Sequence, residues 1–200
     1  MSEACRLLAR AFMSNPDHVA AFGTAALAKN EAFFRAALQV LKGQTLVATD
    51  GSRIVGLIHW VDSPRCQVGG IEKLRLIPVM VSQLGVGATV RVVSWLSTWS
   101  KHDPRKPHVH LGPVGVLPEA QGQHIGSRLM TRYCEALTET GAVGYLETDR
   151  PENVAFYRRF GFETTKVVRV IGAKNYLMSR PGGLEPPTPG LEDGAGKLLK

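Results

Sequence analysis

Apolar side chains recur at every fourth position through Ile125, Leu129, Tyr133 and Leu137. That spacing places them on one face of a helix and predicts a helix over 122–140. Phe33, Phe34, Ala37, Leu38 and Leu41 form a second stripe, which predicts a helix over 20–41. Val92, Trp95, Leu96 and Trp99 share a face of a helix expected over 88–100. Shorter apolar patterns predict helices over 5–13 and 71–84. Asn15-Pro16-Asp17 separates the first helix from the second, because proline removes an amide and fixes the backbone.

Elsewhere the pattern turns to β-branched and alternating residues. Segments 44–49 and 53–61 flank Asp50-Gly51, the signature of a tight hairpin. Strands over 108–116 and 143–148 bracket the 122–140 helix, and residues 101–107 read as a polar, proline-bearing loop. A short helix is expected over 151–160, with Pro151 in its first turn and Gly161 just past its end. Segments 162–171 and 174–179 close a second hairpin about Gly172-Ala173. These elements belong to a single domain over 1–180. Residues 181–200, rich in proline and glycine and without periodicity, are expected to form a disordered tail.

Composition narrows the classes of function. A chain of 200 residues with 44% hydrophobic and 20% charged residues can bury an ordinary core. No apolar run approaches the ~18 residues of a membrane span, and residues 1–10 lack a signal-peptide core, so a cytoplasmic protein is expected. Cys5, Cys66 and Cys134 are scattered and odd in number. They read as buried free thiols of a reducing compartment, with no metal expected. The net charge is +7, yet the basic residues are dispersed, without a stripe or interleaved aromatics. That argues against nucleic acid as a partner and for an anionic small molecule.

The segment from Val114 to Ser127, VGVLPEAQGQHIGS, carries the strongest chemical signal. A strand runs into a glycine-bearing turn that opens a helix, where unpaired amides and the positive dipole end attract an anion. Gly115, Gly122 and Gly126 do not have the G-x-G-x-x-G spacing of a dinucleotide site, and the Gly-Lys-Ser/Thr of a P-loop is absent.

Residues 116–126, VLPEAQGQHIG, resemble the pyrophosphate-binding motif of the GNAT superfamily of acyl-CoA-dependent acetyltransferases, Q/R-x-x-G-x-G/A preceded by V-x-P. Asn153 to Phe162, NVAFYRRFGF, resembles that family's N-x-x-x-Y-x-x-x-G-F signature, in the same order and one strand later. The likeness spans residues 108–179. It implies an α/β chain of mixed α+β character, with a twisted central sheet and helices on both faces. Two neighbouring parallel strands would splay into a V-shaped acyl-CoA cleft.

The resemblance also implies acetyl-CoA as co-substrate. Backbone groups of Val114 and Val116 would pair with its pantetheine arm. Gln121, Gly122, Gln123, His124, Gly126 and Ser127 would offer amides to its pyrophosphate, and Asn153 would reach the same cofactor. His124 stands where the family carries its first glycine. Tyr157 would be the general acid at the CoA sulfur, on one helical face with Asn153; the competing reading is a core aromatic beside Phe156 and Phe160. Glu147 is the first candidate for general base, against a structural carboxylate paired with an arginine. Glu119 is expected beside the turn and His110 as a satisfied structural histidine. His59 and Trp60 are either pocket residues or core.

Two classes of function follow: an acetyltransferase acting on a small-molecule amine, or a non-catalytic acyl-CoA-binding module. A hydroxyl or protein amine is the alternative acceptor. Acceptor specificity would come from residues 12–40 and 60–107, whose apolar, tryptophan-bearing character suggests a bulky amine. A homodimer is compatible with the chain, and no sequence feature selects it.

Overall fold

The computed structural model describes residues 2–66, 70–185 and 197–199. The chain opens with helices α1 (Ser2–Phe12), α2 (Pro16–Phe22) and α3 (Leu27–Val40), then the hairpin β1 (Gln44–Asp50) and β2 (Arg53–Asp62). Helices α4 (Gly70–Leu84) and α5 (Val86–His102) lead into β3 (Val109–Val116), α6 (Ile125–Thr140), β4 (Gly144–Thr148) and α7 (Pro151–Arg158). Strands β5 (Glu163–Val170), β6 (Ala173–Arg180) and β7 (Lys197–Leu199) complete one sheet in the order β5-β6-β4-β3-β2-β1-β7. Its neighbours run antiparallel except β3 and β4, which are parallel. The expected α/β architecture with a mixed sheet is the one observed.

Strand β2 is buried continuously from Val55 to Val61, so it lacks the alternation of a half-exposed strand. The cause is helix cover on both faces. A methyl group added at Gly56 would meet Ile125 and Leu129 of α6, whereas one at Gly115 would meet Leu8 and Ala11 of α1. Leu57 lies opposite Gly115 in the ladder, so Gly56 and Gly115 point to opposite faces. The α6 stripe predicted from its spacing is fully buried at Leu129 and Tyr133. A second, smaller core joins α2, α4 and α5 to the end of β5 through Phe22, Leu84, Val92, Trp95 and Val170.

Three boundaries differ from expectation for backbone reasons. The helix expected over 20–41 is two helices, because Gly23 and Ala25 take φ of 88° and 55° and end the helical ladder. Helix α6 begins at Ile125 rather than 122, after one 3-10 turn at Pro118–Ala120 and the positive φ of Gly122 and His124. Helix α5 runs on to His102, into the expected loop.

Of the expected tail, Leu184 and Glu185 accept hydrogen bonds from the buried Arg180 guanidinium, and Thr138 Oγ1 also donates to Leu184 O (2.6 Å). Residues 197–199 pair with β1. Residues 186–196 and 200 lie outside the described residues.

Candidate active site

Strands β3 and β4 pair only at Val109↔Gly144 and His110↔Tyr145, then part. From Leu111 onward the cleft-side edge of β3 is not laddered to β4, so its amides and carbonyls are left for another partner. Pro113 has no amide to give, and the β2–β3 register slips between Ile58 and Trp60, opposite this stretch. A cavity of about 790 Å³ opens in the gap, a size suited to a small-molecule ligand.

Val114, Gly115 and Val116 line the cavity from β3, and Glu147 and Thr148 from β4. Asn153 and Tyr157 of α7 line it too, as do residues of α1–α5. The segments expected to shape an acceptor pocket are therefore on its wall: Phe33, Ile77, Met80, Trp95 and Trp99.

The turn before α6 borders this space. Gln121 lines the cavity, and its Nε2 donates to Val116 O (3.1 Å), tying the turn to the strand end. Gly122, Gln123, His124, Gly126 and Ser127 follow around the turn and into the first helical turn. Arg128 N donates to His124 O (3.0 Å), which starts the helical ladder and leaves the amides of residues 125–127 without helical acceptors. His124 adopts φ 58°, ψ 8°, the left-handed conformation that glycine takes freely and that costs other residues about 1–2 kcal/mol. The turn thus takes a glycine-like backbone at a residue that carries a side chain. A methyl group at Gly126 would lie 3.6 Å from Phe156 and 3.8 Å from Val116, ordinary contact distances. Packing does not demand glycine there; the bare backbone keeps the helix start open to a ligand.

Asn153 Nδ2 donates to Thr148 Oγ1 (3.3 Å), fixing α7 against β4. Tyr157 is buried, with its ring packed against Phe156 and Phe162 at centroid distances of 5.3 and 6.3 Å. Burial, reinforced by the Asp149 charge, raises the pKa of its hydroxyl and keeps the proton on. The core reading of Tyr157 is the one its packing shows, and its hydroxyl keeps its proton.

Glu147 Oε2 accepts from His110 Nε2 (2.8 Å), while Oε1 is buried without a hydrogen bond. Its partner is a histidine, not the arginine of the competing structural reading. His59 bonds to Thr45 Oγ1 (2.8 Å) and Leu41 O (2.9 Å), and Trp60 packs on Tyr133, so both are structural. Glu119 stays at the turn, paired with Arg10 and Arg53.

A buried polar group on the cavity wall was not anticipated. Asp149 Oδ1 accepts from Asn15 Nδ2 (3.1 Å) and Oδ2 from the Asp17 amide (2.9 Å). Asp17 in turn accepts from Asn175 Nδ2 (3.1 Å), and its Oδ2 is buried without a partner. Burial and the neighbouring Asp149 carboxylate push Asp17 up to about 7. Burial lowers His18 to about 4, which keeps it neutral among Phe12, Phe33, Phe34 and Trp95. In the sequence, Asn15-Pro16-Asp17 signals only a helix break; the partners are more than a hundred residues away.

The acetyltransferase (GNAT) family model matches residues 13–162, which contain the splayed strands, the turn and α7. The chain belongs to the GNAT acetyltransferase family. It is 34% identical over 103 residues to the N-alpha-acetyltransferase RimI of Mycobacterium tuberculosis, a match covering 48% of this chain and 63% of that protein's length.

Among solved structures, a Corynebacterium glutamicum protein described as histone acetyltransferase HPA2 and related acetyltransferase superposes with a TM-score of 0.67. It is 22% identical and covers 90% of each chain. The arylalkylamine N-acetyltransferase 2 of Aedes aegypti superposes with a TM-score of 0.64 at 11% identity, covering 90% of this chain and 93% of that one. A polyamine N-acetyltransferase of Drosophila melanogaster gives 0.59 at 13% identity, covering 90% and 97%. These likenesses establish the GNAT fold. Among the described residues, no helix is long and apolar enough to cross a membrane.

Proposed function

We propose that the protein transfers the acetyl group of acetyl-CoA to a primary amine of a small molecule with an apolar body. The observation that carries this reading is the parting of β3 and β4 beside the open N-terminus of α6. The free edge of β3 at Val114 and Val116 suits an extended pantetheine chain added like a strand. The turn at Gln121–Ser127 suits the pyrophosphate, since unpaired amides and the helix dipole both favour an anion. Asn153, beside the mouth of the gap, suits the same cofactor.

In this reading the amine nitrogen attacks the acetyl carbon, and an amide near Val114 stabilises the oxyanion. The bond to sulfur breaks, and the Tyr157 hydroxyl gives its proton to the departing thiolate. The proton lost by the amine passes to the Glu147 carboxylate on the cavity wall. Asp17 and Asp149 place acidic groups on the cavity wall, and Phe33, Trp95 and Trp99 supply apolar surface. An ammonium with an aromatic or aliphatic body matches both.

A peptide α-amine is a second reading, favoured by the 34% match to RimI. A thiol-release assay with acetyl-CoA and a panel of arylalkylamines, polyamines and short peptides tests both. Turnover with an amine supports the proposal, and its ranking separates the two acceptors. Tight acetyl-CoA binding without release across the panel would favour a binding module instead.

A further inference from the structure

We propose that Cys66, Asp103, His108 and His110 bind one zinc ion at the wall of the cavity. The four residues come from separate places: the loop after β2, the C-terminus of α5, the approach to β3 and β3 itself. The inward-facing ligand atoms of all four lie within 4.8 Å of one another. Asp103, His108 and His110 lie within one eight-residue stretch, and Cys66 joins them from 37 residues before Asp103.

The distances match a tetrahedral ion. Bond lengths of about 2.3 Å to sulfur and about 2.0 Å to nitrogen and oxygen set sulfur–nitrogen edges near ~3.5 Å and nitrogen–oxygen edges near ~3.3 Å. Cys66 Sγ lies 3.7 Å from His108 Nε2. Asp103 Oδ1 lies 3.3 Å from His108 Nε2 and 3.5 Å from His110 Nδ1.

The outer ring nitrogens make a second, independent case. His108 Nδ1 donates to Lys106 O (2.9 Å), and His110 Nε2 donates to Glu147 Oε2 (2.8 Å). Each histidine is thereby held with its other nitrogen turned toward the centre, the arrangement that orients metal-bound imidazoles. Asp103 Oδ1 and His110 Nδ1 are buried there without a hydrogen bond. Apart from the ion-pair contacts of 3.5 Å with one another and 3.3 Å with His108, the described residues offer these two atoms no hydrogen bond, and a cation between them would bind both.

The donor set selects the ion. One thiolate, one carboxylate and two neutral imidazoles suit zinc, whereas calcium and magnesium prefer oxygen alone. Thiolate and carboxylate together cancel a divalent charge. Four protein donors make a closed, structural site.

A nucleophilic triad of Cys66, His108 and Asp103 uses the same residue types but fails on geometry. Its carboxylate must orient the ring nitrogen opposite the thiol. Here Cys66 and Asp103 crowd the same nitrogen of His108, and the opposite one is taken by Lys106 O. Cys5 and Cys134 are buried thiols as expected, whereas Cys66, expected to be buried with them, is only half-buried. Zinc would lock the α5–β3 connection and, through His110, hold Glu147 in place.

The site goes beyond acetyl transfer, and its test does not depend on activity. Untagged full-length protein, stripped with a chelator, is titrated with zinc against a chromophoric chelator and, separately, loaded with Co(II). We expect one zinc per chain, and a Co(II) spectrum with a thiolate charge-transfer band and intense tetrahedral d–d bands. Cys66→Ser should abolish the charge-transfer band and weaken zinc at least tenfold, and Cys134→Ser should change neither. His108→Gln should weaken zinc likewise, and serves if Cys66→Ser does not fold. Failure of the wild-type chain to take up zinc, or a Co(II) spectrum without a thiolate band, would overturn the proposal. So would Cys66→Ser binding like the wild type.

Discussion

Replacing Asp17 by asparagine removes a charge from the tightest polar corner of the fold while keeping the side-chain shape. The amide oxygen can still accept from Asn175, and the backbone amide still donates to Asp149. In the folded chain the Asp17 carboxyl titrates at about 7, because burial and the Asp149 charge both disfavour its ionised form. In the unfolded chain it titrates near ~3.9. The folded state therefore holds this proton more tightly. The resulting stabilisation is fully present below about pH 4 and is lost as the pH rises through about 7.

About three decades of proton affinity, at about 1.4 kcal/mol each, correspond to about 4 kcal/mol as an upper limit. Asp17→Asn does not carry this loss, so its stability relative to the wild type should rise with pH. Urea denaturation of both proteins from pH 4.5 to 8 measures the gap, since the titrating groups other than Asp149, which interacts with Asp17, are common to both. A gap of about 2–4 kcal/mol opening in favour of the variant is expected. A gap constant to within about 0.5 kcal/mol, or one opening the other way, would refute the account of Asp17 as a buried, repelled carboxyl.

Three further outcomes test the site and its support. Tyr157→Phe should lower kcat by roughly 10²–10⁴ and leave acetyl-CoA affinity unchanged in calorimetry, and an undiminished kcat would remove Tyr157 as proton donor. His124→Gly relieves a left-handed backbone at a residue that holds it at about 1–2 kcal/mol and clears its side chain from the turn. Acetyl-CoA should bind severalfold tighter, and an unchanged Kd would mean that His124 does not limit the cradle. Gly144→Ala would bring a methyl to 2.7 Å from Leu137 of α6 and 3.0 Å from Phe162, just before β5. A loss of about 1–3 kcal/mol in chemical denaturation is expected, and no loss would show that this junction can relax.

Zinc uptake, if found, would change how Glu147 is understood. Its oxygen toward His110 would belong to the shell that orients a metal ligand, in addition to any part the carboxylate takes in the chemistry. The acceptor side and the cofactor side of the cleft would then meet at β3: His110 faces the ion, and Val114 and Val116 face the pantetheine.

The local elements were legible because their signals are local. The four-residue stripe of α6, the Asp50-Gly51 turn and the paired motifs at 116–126 and 153–162 each lie within a few turns of chain. The left-handed backbone at Gly23 and Ala25 was not legible, since apolar spacing on both sides of it reads as one helix. His124 shows the same limit: its identity breaks the glycine pattern, and only the fold keeps its backbone in the glycine conformation. By itself the sequence determined most of the helices and strands, apart from the break at 23–26 and the short strand at 197–199, and it singled out one turn as the expected anion site. The tertiary structure decided where β3 and β4 part, that Asp17 meets Asp149 across 132 residues, and that Cys66 meets His108 across 42. Periodicity and turn chemistry act between neighbours along the chain, whereas pKa shifts and metal geometry depend on distances that exist only once the chain has folded.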